Sequence, residues 1–313
     1  MAEDVTVEVE GRRLTLRNLD KVLYPVTGTT KGEVLAYYTA VAPALLPQLR
    51  DRPLTRKRWP DGVAGPSFFE KNLPGGTPEW VARVRLPVPG TTRARETIDY
   101  PLAQDLATLV WLANLAAIEL HTPQWRVDPA TVTTAAGLSS ARTTPPAGSP
   151  LPADRLVIDL DPGPPAGLAQ CSTVAVAVRD RLVAQGLSPV PVTSGSKGMQ
   201  LYAPLPPGFA DDHPDVGEFA HALADELAAA MPRLVLSRMT VSLRPGKVLL
   251  DWSQNHPTKT TITPYSLRGR ERPTVAAPRH WHEVEAAADG AALVQLDHTE
   301  VAARLAADGD LLA

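Results

Sequence analysis

Cysteine is almost missing: Cys171 stands alone in 313 residues. One thiol excludes an internal disulfide and any zinc site built from several cysteines, and it suits a reducing compartment. Long apolar runs are lacking as well. No stretch approaches the roughly 18 consecutive apolar residues of a membrane span. The acidic start Met1-Ala2-Glu3-Asp4 has no apolar signal-peptide core. A cytoplasmic protein with no membrane partner is expected. Net positive charge is lacking too, at -3, which argues against nucleic-acid binding only until the distribution is read. From Trp281 onward seven acids face one base, so residues 1–280 sum to about +3. An acidic tail can hide a basic groove in the total. Phenylalanine is scarce, four in all, yet two of them, Phe68 and Phe69, are adjacent. Arginine outnumbers lysine 24 to 7, and Ala and Pro abound, the usage of a GC-rich, bacterial genome.

The length suits one large domain or two lobes. Val5, Val7 and Val9, then Leu14 and Leu16, alternate about Glu10-Gly11 and predict a hairpin. Thr30 with Glu33 forms a capping-box signature. It opens a helix carrying Val34, Leu35, Tyr38, Val41 and Ala42, expected to end before Pro47. Lys31 sits in its first turn, where the helix end is already positive. Either an anion lies near it or it is simply solvated. A basic cluster, Arg52, Arg56, Lys57 and Arg58, precedes the two phenylalanines. Adjacent strand residues cannot both face one core, so one ring should be exposed. An exposed ring among cations suits base stacking; a half-buried strand with one surface ring is the plainer alternative. Residues 80–101 read as two short strands, and Gln104–Leu120 as a long buried helix followed by His121, most simply a structural histidine. Residues 129–153, rich in Ala, Thr, Ser, Gly and Pro, read as a flexible connection. They separate an N-terminal lobe, 1–150, from a catalytic lobe, 151–280.

The catalytic lobe opens with Leu156-Val157-Ile158-Asp159-Leu160-Asp161-Pro162. On a strand Asp159 and Asp161 share one face while Ile158 and Leu160 take the other. Two carboxylates on one edge repel each other, and a hard divalent cation such as magnesium or manganese offsets that. Lys247–Asp251 is another apolar strand ending in a carboxylate. Between them a helix over 168–185 stops at Gly186. Then come a strand from Pro189 to Thr193, the turn Ser194-Gly195-Ser196-Lys197-Gly198, and a strand through Gln200. Backbone amides of such a turn can cradle phosphate oxygens, with Lys197 as a point charge. A helix over 216–230, short strands at 234–236 and 241–243, and the basic turn Arg244–Lys247 follow. Residues 281–313 read as an acidic helical cap without chemistry. Asp-x-Asp alone also occurs in glycosyltransferases and nucleases. The combination with Asp251, Lys197 and Arg268 points to two-metal phosphoryl transfer on a triphosphate.

The chain resembles the polymerase domain of bacterial ligase D, a branch of the archaeo-eukaryotic primase superfamily used in non-homologous end joining and gap repair. The resemblance rests on Asn18–Pro25, Thr55–Pro60, Phe68–Lys71, His121–Trp125, Asp159–Gly163, Thr193–Gly198, Asp251–Asn255 and Tyr265–Arg270. It implies an α/β (α+β) fold, a primase-polymerase core of mixed β-sheets flanked by helices. It implies a template-directed polymerase for gapped or broken DNA, using two Mn2+ or Mg2+ ions and ribo- or deoxyribonucleoside triphosphates. Asp159 and Asp161 would hold both metals and Asp251 the catalytic one. Lys57, His121, Lys197 and Arg268 would contact the triphosphate, and Ser194 and Gln254 would sense the sugar. Phe68 and Phe69 would stack on template bases. Asn18, Lys21, Lys31 and Arg244 would bind a downstream 5′-phosphate, which supplies the anion Lys31 lacks. A monomer at the bacterial nucleoid, meeting Ku and a DNA ligase, is the expected setting. One departure stands out. Gln200 occupies the place of a histidine near the triphosphate, and an amide carries no charge, so weaker triphosphate binding is expected. A non-catalytic end-binding module and a primase are the competing readings.

Overall fold

The computed structural model describes residues 4–87, 97–136, 148–209 and 215–313. They form two compact units. The first is Met1–Leu151 with Ser266–Pro273; the second is Pro152–Tyr265 with Thr274–Ala313. The segment 266–273 therefore returns to the first unit, a return that reading composition along the chain does not reveal.

In the first unit, β1 (Val5–Val9) and β2 (Arg12–Leu16) form the expected hairpin. Strands β3 (Val22–Tyr24) and β4 (Thr29–Thr30) lead into α1 (Lys31–Leu49). The capping box is present: Thr30 Oγ1 accepts from Glu33 N–H at 3.2 Å, and the Glu33 carboxylate accepts from Thr30 N–H at 2.7 Å. α1 runs past its expected end with Pro43 and Pro47 both inside. Each proline costs about 3 kcal/mol in a helix interior. Burial of Val34, Tyr38, Val41, Leu45 and Leu49, at about 2 kcal/mol for each large side chain, outweighs that.

Strands β5 (Thr55–Arg58), β6 (Phe68–Glu70), β7 (Arg83–Pro87) and β8 (Thr97–Pro101) follow. The expected helix over 104–120 is helix in its middle and strand at its end. Only α2 (Leu106–Asn114) is helical. Ala116 then takes a left-handed φ of 55°, and β9 (Ala117–Thr122) begins. All six residues of β9 are buried. Its alternation, Ile118-Glu119-Leu120-His121, is short, and Leu115 and Ile118 continue the helical spacing of Leu109 and Leu112 across the boundary, so the sequence pattern reads as one helix. β9 pairs with β5, which pairs with β6. β10 (Trp125–Val127) comes next. The expected flexible connection is partly ordered. Pro129–Thr131 form a 3-10 turn, and Thr133 exchanges two backbone hydrogen bonds with Arg83. Residues 137–147 of that connection lie outside the described residues.

β11 (Pro150–Ala153) brings the chain to the second unit, built on a six-stranded sheet. Its members are β12 (Arg155–Pro162), β13 (Val190–Thr193), β14 (Met199–Pro204), β15 (Val235–Leu236), β16 (Val248–Asp251) and β18 (Ala277–Pro278), in the order β15-β16-β12-β14-β13-β18. β17 (Thr261–Ile262) precedes the last of these along the chain. β12 lies between β14 and β16, antiparallel to both. Its even residues, Leu156, Ile158 and Leu160, pack with α3 (Leu168–Ala184) and α4 (Val216–Ala230) through Cys171, Val174, Val178, Leu223 and Leu227. Its odd residues face the other way, with Val157 packing on Val192, Tyr202, Ile262 and Ala276. Alternation along β12 thus puts a helix-covered core on one side and the aspartates on the other. Val241–Leu243, expected as a strand, is a 3-10 turn with Val241 74% exposed. Short apolar triplets carry too few residues to distinguish the two. The C-terminal residues add α5 (Trp281–Ala288) and α6 (His298–Asp308). No described helix is long and apolar enough to cross a membrane.

Candidate functional site

The second unit gathers the expected acidic residues by register. Asp159 is the direct cross-strand partner of Asp251 on one side and of Gln200 on the other. Opposed residues of an antiparallel pair share a face, so Asp251, Asp159 and Gln200 form one row across the sheet. Asp161 lies two residues along the same face of β12. Each carboxylate has protein partners. Asp161 Oδ1 is 2.9 Å from Lys197 Nζ, and its Oδ2 is 3.1 Å from Arg244 Nη1. Asp251 Oδ1 accepts from Ser253 N–H at 3.1 Å and from Ser253 Oγ at 2.6 Å, while Oδ2 accepts from Gln254 Nε2 at 2.9 Å. The 3-10 turn Trp252–Asn255 that carries Ser253 and Gln254 is fixed by Asn255. Its amide replaces a strand neighbour, accepting from Val157 N–H at 2.9 Å and donating to Val157 O at 2.7 Å. No three His, Cys, Asp or Glu among the described residues are gathered as a cluster for one metal ion.

The turn after β13 differs from the expected phosphate cradle. Ser194 N–H donates to Gly198 O at 3.0 Å, and Gly195 N–H donates to Gln295 Oε1 at 2.7 Å. Ser196 and Gly198 donate to Ser194 Oγ at 3.3 and 3.2 Å. Four of the amides thus point at protein acceptors. Ser194 Oγ takes two of them, leaving its own proton to donate elsewhere. Gly198 is required by packing, since a Cβ there would stand 2.1 Å from Leu160 O. Gln200 is buried, with its Oε1 3.0 Å from the Tyr202 hydroxyl. Burial lifts the Cys171 thiol to about 12, with Asp159 and Asp161 adding to the effect, so it is an inert core side chain.

The first unit holds a second group of expected residues. On β5, β6 and β9 the cross-strand partners of Lys57 are Phe69 and Glu119, and that of Thr55 is His121. Lys57 Nζ lies 5.2 Å from the Phe69 ring and 4.7 Å from the Trp59 ring. Glu119, a residue the helical reading of 104–120 concealed, joins this group together. His121 Nε2 is 2.8 Å from Glu119 Oε2, Gly269 N–H donates to Oε1 at 3.0 Å, and Arg268 Nε is 3.6 Å from Oε1. Burial pushes the Glu119 carboxyl up, but the His121 hydrogen bond and the Arg268 charge more than offset it and hold it at about 2. Burial pushes His121 below its ordinary value, against the pull of Glu119, and leaves the ring neutral at pH 7.

Both phenylalanines are exposed, Phe68 at 44% and Phe69 at 60%, although the sequence required only one. They stand on opposite faces of β6. Phe69 meets Lys57 and the edge of His121 at 5.6 Å, and Phe68 lies over Arg58 at 5.3 Å. Near the start of α1, Lys31 is only 6% exposed and donates to Arg17 O at 2.6 Å. Burial, then the charges of Lys21, Arg17 and Arg58, lower it to about 8. Lys21 pairs with Asp61 at 2.9 Å. Asn18 takes a left-handed φ of 52°, and its carbonyl accepts from Lys21 N–H at 3.0 Å. The first helical amides are occupied, since Lys31 and Gly32 donate to the Lys21 and Leu19 carbonyls, both at 2.8 Å. An anion here would meet lysine side chains rather than a free helix end. Arg244, expected with these residues, belongs to the second unit and lies on Asp161.

The chain matches the family model for the LigD primase-polymerase domain over residues 30–312. It is 48% identical over 301 residues to the multifunctional non-homologous end joining DNA repair protein LigD of Mycobacterium tuberculosis, covering 96% of this chain and 37% of that one. The Bacillus subtilis bifunctional LigD is 32% identical over 273 residues, covering 87% and 40%. Among solved structures, the polymerase domain of M. tuberculosis ligase D in complex with DNA matches with a TM-score of 0.84 and 48% identity, over 96% of both chains. The chain belongs to the LigD primase-polymerase family, as the sequence resemblance implied, and has the mixed α/β fold expected from it. It spans about 37% of the length of the mycobacterial relative.

Proposed function

We propose that this chain is a DNA-dependent nucleotidyltransferase that adds ribo- or deoxyribonucleotides to 3′-hydroxyl ends in gapped or broken DNA during end joining. The observation that carries the reading is the strand register that sets Asp251 opposite Asp159, with Asp161 two residues along the same face. The relatives' names in end joining, and the DNA bound to the structural neighbour, support the same reading.

The acidic row fits divalent cations. Its donors are hard carboxylate oxygens, which suit Mn2+ or Mg2+, and Asp161 already draws two cationic side chains. Asp159 and Asp161 would hold two ions and Asp251 one of them, supplying activation of the attacking hydroxyl and charge neutralisation at the leaving pyrophosphate. The protein's own groups bind and orient. Lys57, Lys197 and Arg268 supply positive charge for the triphosphate. Neutral His121 gives its Nε2 proton to the Glu119 carboxylate, so its Nδ1 can only accept, and it would contact a hydroxyl of the nucleotide rather than a phosphate oxygen. Ser194 has its hydroxyl proton left to donate to an oxygen of the sugar. Gln254 donates to Asp251, leaving its carbonyl to accept from a 2′-hydroxyl. Lys21 and Lys31, with Asn18, take a 5′-phosphate, and Phe68 and Phe69 stack on bases.

The test is primer extension across a gap, comparing ribo- with deoxyribonucleotides and 5′-phosphate with 5′-hydroxyl. Asp159→Ala is expected to abolish incorporation while leaving 5′-phosphate-dependent DNA binding intact. Full extension by that variant would eliminate the reading; DNA binding without incorporation by the unaltered chain would favour the end-binding module instead.

A further inference from the structure

The C-terminal residues, expected to be a cap without chemistry, are bonded into the turn that bears Ser194 and Lys197. Gln295 lies between α5 and α6. Its Oε1 accepts from Gly195 N–H at 2.7 Å, and its Nε2 donates to Gly198 O at 3.0 Å. One side chain therefore spans both ends of the turn. Thr274 Oγ1 adds a bond to Gly195 O at 2.5 Å. Behind them stands Arg279, 4% exposed. Its Nε donates to Thr193 Oγ1 at 3.1 Å, and its Nη2 donates to the Val294 carbonyl, so it joins the residues just before Ser194 and just before Gln295. Glu283 fixes Arg279 at 3.1 Å and is itself held by Arg304 at 2.5 Å.

The turn does not need these bonds to close, since Ser194 N–H to Gly198 O already closes it. It does need something to hold its shape. Two of its five residues are glycine, and Gly195 sits at a φ of +67°. An unbraced glycine turn would have to be ordered by its ligand, which lowers affinity.

We infer that Gln295, backed by Arg279, Glu283 and Arg304, is a positioning residue for the nucleoside triphosphate: it holds the Ser194–Gly198 turn in the one shape from which the Ser194 hydroxyl reaches the sugar and Lys197 the phosphates. The inference deepens the proposed polymerase reading and rests on it. Gln295 touches neither substrate nor reacting atoms. Its loss should act on nucleotide affinity and leave the chemical step alone.

Gln295→Met keeps the length and most of the volume and removes both hydrogen bonds. It is expected to raise the nucleotide KM about fivefold, the effect of about one lost net hydrogen bond. kcat and the affinity for gapped DNA should stay within about twofold of the unaltered protein. On a Ser194→Ala, Lys197→Ala background the same change should add almost nothing, because the groups it positions are gone. Amide hydrogen exchange at Gly195 should quicken in Gln295→Met. Unchanged Gly195 exchange would overturn the brace, and faster exchange with an unchanged nucleotide KM would overturn its role in binding. Failure of the unaltered chain to incorporate any nucleotide would overturn the proposed function instead, and Gly195 exchange would still decide whether Gln295 holds the turn.

Discussion

Gln200 and Lys31 are the residues at which composition and geometry pull hardest against each other. Gln200 stands next to Asp159 in the cross-strand row, buried and in contact with the Tyr202 hydroxyl. A histidine there would keep a hydrogen-bonding edge and add a titratable nitrogen near the row. Gln200→His is expected to lower the nucleotide KM severalfold with little change in kcat, as measured by steady-state incorporation. An unchanged KM would mean that the position does not sense the triphosphate. Lys31 is a lysine held near a pKa of about 8 by burial and by Lys21, Arg17 and Arg58. A bound 5′-phosphate would draw its proton back, so binding would take up a proton at alkaline pH. Affinity for 5′-phosphorylated gapped DNA should then fall as pH rises through about 8, and Lys31→Arg should flatten that fall. Titrations by fluorescence anisotropy between pH 7 and 10 check both; a flat profile in the unaltered protein would remove Lys31 from the phosphate site.

Among the elements, β9 carries the sharpest lesson. Its alternation puts Glu119 and His121 on one face, and Glu119 draws in Gly269 and Arg268. The carboxyl sits near 2 in the fold against an ordinary value of 4.5. Between those values the unfolded chain binds the extra proton, so stability from Glu119 is complete above about 4.5 and disappears as pH falls toward 2. Glu119→Gln should lower Tm at pH 7 and shrink the loss of Tm across that acid window, as followed by calorimetry. A parallel Tm curve would contradict it. The same strand marks the limit of what the sequence reveals. β12 was legible because a polar residue on alternate positions betrays its period, and the end of α3 because Gly186 stops it. β9 was not, because Leu115 and Ile118 continue the helical spacing of Leu109 and Leu112 across the turn at Ala116. Gln295 was invisible for another reason. A lone glutamine between Val294 and Leu296, 100 residues from Gly195, carries no local pattern, and only the fold brings the two together. The phosphate-cradle expectation failed at the same turn, where protein acceptors had already claimed the amides.

At the scale of the whole molecule, charge is sorted along the chain. The acidic excess falls after residue 280, where part of it serves the Arg279–Glu283–Arg304 network rather than a featureless surface. The two compact units are not two consecutive lengths of polypeptide, because Ser266–Pro273 belongs with Met1–Leu151. Those eight residues supply Gly269 and Arg268 to Glu119, and Ser266 Oγ accepts from Leu120 N–H at 2.9 Å. Gly269 also packs so closely on the Trp59 ring that a Cβ would stand 2.1 Å from it. Scission at a single peptide bond cannot release an intact first unit. A recombinant piece ending at residue 151 should stay largely unstructured by circular dichroism and gain order when a synthetic peptide spanning 266–273 is added. The downstream half of the gene thus encodes the wedge on which the upstream half closes, so ribosomal synthesis must pass residue 273 before that first unit can be complete.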